Sequence, residues 1–140
     1  MVATTQVDVP TRYSGVSSSQ FIALCVLGIV LFLIAAILLR IVGPMGAYEG
    51  WGRIALYGLT IPGTLPFLLI IRKVLKLRNS QMAVAGAIMT MTATLADGIA
   101  LAWFPQLYGG TTELIAGAGG AILWGAGVGL TLGFLLNKND

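Results

Sequence analysis

The stretch FIALCVLGIVLFLIAAILL, residues 21–39, runs nineteen positions without a charge, and no other feature narrows the possible folds so far. About 20 helical residues, rising 1.5 Å each, cross the roughly 30 Å hydrocarbon core of a bilayer. No water reaches the backbone there, so the run must satisfy its own peptide groups as an α-helix. Three more runs follow: IALYGLTIPGTLPFLLII (54–71), MAVAGAIMTMTATLADGIALAWF (82–104, with the single charge Asp97) and 114–136. Short connectors at 44–53, 72–80 and 105–113 join them. The expected spans are 20–43, 53–71, 81–104 and 112–136, after a polar tail at residues 1–19. A cleavable signal peptide would have a shorter apolar core and an A-x-A-like exit, so the first span is expected to be retained. The fold class expected is all-α, a four-transmembrane-helix bundle forming a single membrane domain over 20–136.

Composition points the same way. Of 140 residues, 57% are hydrophobic and 9% charged, where a soluble domain carries about 25% charge. The net charge of +3 could suggest nucleic acid, but the few basic residues sit where topology explains them. The N-tail, the second connector and the C-tail share one side and hold Arg12, Arg72, Lys73, Lys76, Arg78 and Lys138; the other side holds Arg40 and Arg53. Six against two places both termini in the cytoplasm, and the expected location is a multi-pass place in the cytoplasmic membrane. R-K-V-L-K-L-R (72–78) reads as that topology signal, with anionic-lipid contact secondary. Tyr48, Trp51, Trp103 and Tyr108 fit an interfacial aromatic belt on the far side. Cys25 is the lone cysteine and histidine is absent, which excludes an intrachain disulfide, a Cys-rich metal or redox centre, and imidazole chemistry. No catalytic, cofactor-binding or metal-ligating set is expected, and the chain does not read as an enzyme.

GAGGAILWGAGVGLTLG (117–133) holds seven glycines and resembles a nucleotide loop only at first. The G-x-G-x-x-G pattern fails, with Ile122 and Leu130 where third glycines belong, and the stretch lies inside an uncharged apolar run. What remains is a small residue at every fourth position: Gly117, Ala121, Gly125, Gly129 and Gly133. The third span repeats this with Gly86, Thr90, Thr94, Gly98 and Ala102. In lipid, helices associate by close backbone approach through small residues, so the last two spans are expected to pair as an antiparallel hairpin. Each i+4 step drifts about 40° around the helix, so one straight partner meets only about three of five positions. The remainder must meet the first two helices or a second subunit.

Asp97 is the sharpest single residue. It lies roughly 7 Å from the middle of its span, where an ionisable group costs at least about 2.5–3.5 kcal/mol and faces protein or water. Either it pairs with Arg40, or with Arg53, or it serves as a proton or cation relay. Arg40, Glu49, Arg53, Asp97 and Glu113 form an almost balanced outer-side cluster, and no carboxylate spacing argues for acid–base chemistry. Pro62 and Pro66 remove two backbone donors from the second span and free the carbonyls of Gly58 and Pro62, so a kink is expected. Either the kink serves packing, or it helps form a site as in transporters. Ser17 to Gln20 has capping-box spacing; Thr112 is the expected cap of the fourth helix, with Glu113 opposing its dipole. Thr90, Thr92 and Thr94 can bond their own helix, and Trp124 is expected to bury its indole N–H against a neighbour.

The segments LLRIVG (38–43), TATLADGIALAWFPQLYG (92–109) and GAILWG (120–125) resemble a bacterial family of small four-helix integral membrane proteins of unknown function. The resemblance carries an aspartate, apolar residues and a Phe-Pro onto Asp97, Phe104 and Pro105. Where that pattern has Pro-Gly before the aspartate, this chain has Thr-Ala-Thr-Leu-Ala. It implies the four-helix fold and no activity. Small multidrug transporters differ by a glutamate inside the first helix, which is absent here. The function expected is that of an accessory or packing subunit of a membrane assembly, bound to other membrane subunits or to itself. The alternative is an oligomeric small-solute or ion transporter using Asp97 near the Pro62/Pro66 kink.

Overall fold

A computed structural model describes residues 15–140. Most of the polar tail, including Arg12, lies outside the described residues. Four helices account for nearly all the rest: α1 (Ser18–Val42), α2 (Gly50–Val74), α3 (Met82–Trp103) and α4 (Thr112–Leu136), with short 3-10 turns in the three connectors. All four are long and apolar enough to cross a membrane. Ile22, Val26, Leu33, Ile37 and Ile41 of α1, with Leu59, Leu95 and Phe134 elsewhere, point outward. A water-soluble chain would bury such side chains, whereas lipid accepts them.

The helix ends follow local chemistry. Ser17 Oγ accepts the Gln20 N–H at 3.2 Å while Gln20 Oε1 accepts the Ser17 N–H at 3.0 Å, closing the expected capping box. The cap of α4 is Thr111 rather than Thr112: Thr111 Oγ1 accepts the Leu114 N–H at 3.3 Å, and Glu113 falls in the first turn. The extended Thr111 backbone (φ −87°, ψ 153°) puts its hydroxyl over the free N–H groups, which a helical Thr112 cannot do. The second helix is longer than expected, beginning at Gly50 and ending at Val74. It runs through Pro62 and Pro66 without interruption. Thr60 and Thr64 donate to the Leu56 and Thr60 carbonyls at 2.8 and 2.7 Å, adding hydroxyl bonds beside the proline gaps. Both prolines and Gly58 lie on an exposed face.

α3 is the most enclosed span, lying between α1 and α4, while α2 packs chiefly on α4. Where α1 crosses α3, Gly28 makes the approach: a Cβ there would sit 2.8 Å from both the Met89 carbonyl and Thr92 Cβ. Two apolar clusters fill the ends of the bundle. One gathers Leu24, Leu68, Ile71, Met82 and Met89; the other gathers Ala36, Leu39, Tyr48, Ala100, Tyr108 and Ala118.

The three segments expected on one side do meet. Gln20 Nε2 donates to the Leu75 carbonyl at 3.2 Å, Gln81 Nε2 donates to the Gly15 carbonyl, and the Lys138 N–H reaches the Asn79 carbonyl at 3.3 Å. The C-terminal residues also cap α3, which has no side-chain cap of its own. Asn137 Oδ1 accepts the Ala83 N–H at 3.0 Å, and Asp140 accepts the Asn79 N–H at 2.8 Å and the Ser80 hydroxyl at 2.5 Å.

Candidate functional site

At the opposite end, Pro105 follows the last turn of α3. Its preceding residue Phe104 leaves the helical region (φ −131°, ψ 53°), as expected before a proline, and the chain doubles back in a 3-10 turn over Pro105–Tyr108. That reversal brings Tyr108 beneath Asp97, eleven residues earlier. The Tyr108 hydroxyl donates to Asp97 Oδ1 at 2.5 Å. Tyr108 is fully enclosed and Asp97 is 5% exposed. Burial, and then the bond to the carboxylate, push the Tyr108 phenol far above its ordinary range, so the phenol remains the donor.

The arginines expected beside Asp97 are engaged elsewhere. Arg40 Nη1 donates to the Gln106 carbonyl, and Arg53 Nε donates to the Tyr48 carbonyl at 2.7 Å. Each stitches a helix end to a connector. The reason is depth: a guanidinium at a helix terminus meets the exposed carbonyls of the connectors at that end of the bundle before it can reach a carboxylate inside the neighbouring span. The expected five-charge cluster is therefore divided, with Asp97 enclosed on Tyr108 and Glu49, Arg53 and Glu113 around a cavity of about 460 Å³.

That cavity lies between the N-terminal ends of α2 and α4, with Tyr48, Tyr57, Gly117 and Gly120 in its wall. Glu49 is the N-cap residue of α2, yet its side chain makes no cap bond. Tyr48 and Tyr108 do not join the aromatic belt, since both are buried, whereas Trp51 and Trp103 are 84% and 72% exposed. The Tyr48 hydroxyl donates to the Leu39 carbonyl at 3.2 Å, and its ring rests against Gly43 and Gly117. Burial raises its phenol also.

The two small-residue ridges meet only in part. A Cβ on Gly86 would lie 3.3 Å from Gly133 Cα, and one on Gly129 would lie 3.1 Å from Thr90 Oγ1. This is the close antiparallel approach anticipated for α3 and α4. Thr94 and Ala121 are half-buried. Gly117, by contrast, seats the Tyr48 ring, while Gly98 and Gly125 face open space and Ala102 is exposed. The helices drift out of register, as the 40° step requires. Thr92 bonds its own helix, at 2.9 Å to the Ile88 carbonyl. Trp124 donates its indole N–H to the Tyr57 carbonyl at 2.9 Å, and the two rings stack with centroids 5.4 Å apart.

Sequence reasoning placed Tyr108 in the belt and missed it as the partner of Asp97, and it missed Gly28 and the C-terminal cap. Pro105 was the available signal for Tyr108, because a proline after an apolar span forces a reversal. Among the described residues, no group of three or more acidic or cysteine side chains is placed to hold a metal.

No protein-family model matches the chain, and neither a curated protein nor a solved structure does. The fold of the described residues therefore defines its class: all-helical, with four helices long and apolar enough to cross a membrane.

Proposed function

We propose that this chain is a non-enzymatic subunit that works by helix association inside a bacterial inner membrane, with both termini cytoplasmic. The observation that carries the reading is the uneven use of the α3 ridge. Gly86 and Thr90 are covered by α4, while Gly98 and Ala102, four residues apart, face outward. Small residues at that spacing let another backbone approach. The enclosure of Asp97 on Tyr108 supports a structural use of the one charge within the third span. Arg72, Lys73, Lys76, Arg78 and Lys138, gathered by the contacts among the N-tail, the second connector and the C-tail, support the cytoplasmic side.

Purification in mild detergent, with cross-linking in membranes beforehand, tests the association. Wild type should carry a stoichiometric membrane partner or a second copy, and Gly98→Leu or Ala102→Leu should release it. A monomer with nothing attached, unchanged by either substitution, overturns the proposal. Impermeant thiol labelling of Cys25→Ala chains carrying Lys138→Cys or Glu49→Cys tests the orientation: only the second should react in intact cells.

The transporter reading keeps one supporting observation, a lone carboxylate buried within a span. Its two features are separated, since α2 packs chiefly on α4 and both prolines face outward. Proton-coupled flux in liposomes that disappears in Asp97→Asn, with the protein still folded, would restore it.

A further inference from the structure

A second cavity, an apolar groove of about 420 Å³ bordered by Ile61, Trp124, Gly127, Thr131 and Leu135, lies along the C-terminal half of α4. The Tyr57–Trp124 stack, with centroids 5.4 Å apart, closes one end and separates the groove from the polar cavity. The other end reaches Leu135 in the last turn of α4. Gly127 leaves the groove open, with nothing within 4 Å of where its Cβ would be. Two cations stand at the Leu135 end. Arg72 follows Ile61 by eleven residues, about three turns, at the foot of the same face of α2. Lys138 follows Leu135 just beyond the C-cap Asn137. Asn79 holds both: Arg72 Nη1 donates to its Oδ1 at 2.9 Å, and the Lys138 N–H donates to its carbonyl at 3.3 Å.

We propose that this groove binds one acyl chain of an anionic phospholipid of the phosphatidylglycerol kind. The lipid comes from the leaflet at the basic end, and its phosphate lies between Arg72 and Lys138. Depth fits this occupant. From Trp124 to Leu135 the groove runs about 16 Å, and one leaflet contributes half of a core about 30 Å thick. A chain entering at Leu135 ends against the aromatic stack while its head stays level with the two cations. Charge fits as well. Among the described residues, that end of the bundle carries Arg72, Lys73, Lys76, Arg78 and Lys138 against one carboxylate, Asp140, which is already engaged by Asn79 and Ser80. Arg72 places one nitrogen on Asn79 and has further N–H donors for a phosphate. The Lys138 ammonium adds a second charge-assisted partner. A phosphocholine or phosphoethanolamine head brings a cation of its own, which these two residues repel. The inference rests on the four-span reading; it depends neither on the accessory role proposed above nor on which side of the membrane this end faces.

The full chain, purified in mild detergent and supplied with one lipid at a time, should prefer phosphatidylglycerol about 25-fold over phosphatidylcholine or phosphatidylethanolamine with the same acyl chains. Each basic residue beside an anionic head contributes about fivefold, and native mass spectrometry reads the retention. Lys138→Gln, at an exposed position, should reduce the preference to about fivefold. Arg72→Gln combined with Lys138→Gln should abolish it and still leave phospholipid bound. Lys73→Gln, exposed at the same end but about 120° round α2 from the Ile61 face, should leave it intact. Gly127→Leu should weaken all three lipids together. Equal retention of the three by wild type overturns the proposal. So does a loss in Lys73→Gln that matches Lys138→Gln, which makes the effect a diffuse surface charge. Two further results also overturn it: free glycerophosphoglycerol binding as tightly as the lipid, which makes the cations a solute site, and a lipid-free dimer cross-linking through Gly127.

Discussion

At the scale of single residues, the Asp97–Tyr108 bond determines how a carboxylate survives inside an apolar span. A buried charge left without a partner is far more costly than the same group hydrogen-bonded. Tyr108→Phe removes the donor and should destabilise the protein by about 1–3 kcal/mol, read as thermal unfolding in detergent. Asp97→Asn keeps an oxygen for the phenol and removes the charge, so it should cost less. Equal losses in the two variants, or none in Tyr108→Phe, would take this bond out of the account. The partner was not legible in the sequence because eleven residues and a helix end separate the two side chains. What was legible was that Asp97 needed a protein neighbour. Arg40 and Arg53 were reasonable candidates by depth alone; their short reach to the loop carbonyls at Gln106 and Tyr48 diverted them.

At the scale of helices, glycines divide into those that set a contact and those that do not. Gly28→Ala places a Cβ 2.8 Å from the Met89 carbonyl and Thr92 Cβ, so α1 and α3 must separate, at a cost of about 1–3 kcal/mol. Gly58→Ala and Gly63→Ala meet nothing within 4 Å and should be neutral or stabilising by up to about 1 kcal/mol, from helix propensity. Unfolding midpoints that fail to separate these sites would contradict the α1–α3 crossing. The N-terminal end of α3 behaves differently with pH. The Ser80 hydroxyl bond, followed by the Asn79 and Ser80 amides, holds the Asp140 carboxyl below its ordinary range. Its contribution is therefore complete above the unfolded carboxylate pKa and fades as pH falls through the lower folded value. Amide exchange at Asn79 and Ser80, corrected for intrinsic rates, should accelerate over that acid window in wild type. Asp140→Asn should flatten the response.

For the whole molecule, the unequal enclosure of the spans predicts an order of loosening. α3 is held on two sides, while α2 is the least buried and is tied to α4 by the Tyr57–Trp124 stack and the indole bond. In harsher detergent, α2 should exchange its amides first. Trp124→Phe, losing a bond of about 0.5–1.5 kcal/mol, should speed that exchange without affecting α3. Uniform acceleration across all four helices would refute this order.

The run lengths and the near absence of charge determined the four helices by themselves, because a backbone in hydrocarbon has no other way to bond its own groups. The capping box at Ser17 and Gln20 was equally local, and so was the rule that two ridges stepping by four cannot stay in register. Which positions drop out was a tertiary matter. Gly117 meets Tyr48 rather than α3, and Gly98 is left open, because the helix crossing points fix which part of each ridge is used. The polar cavity and the Asp97–Tyr108 bond are likewise products of packing. Each joins side chains from different helices or turns, and no periodicity along one helix encodes where the next one comes to rest.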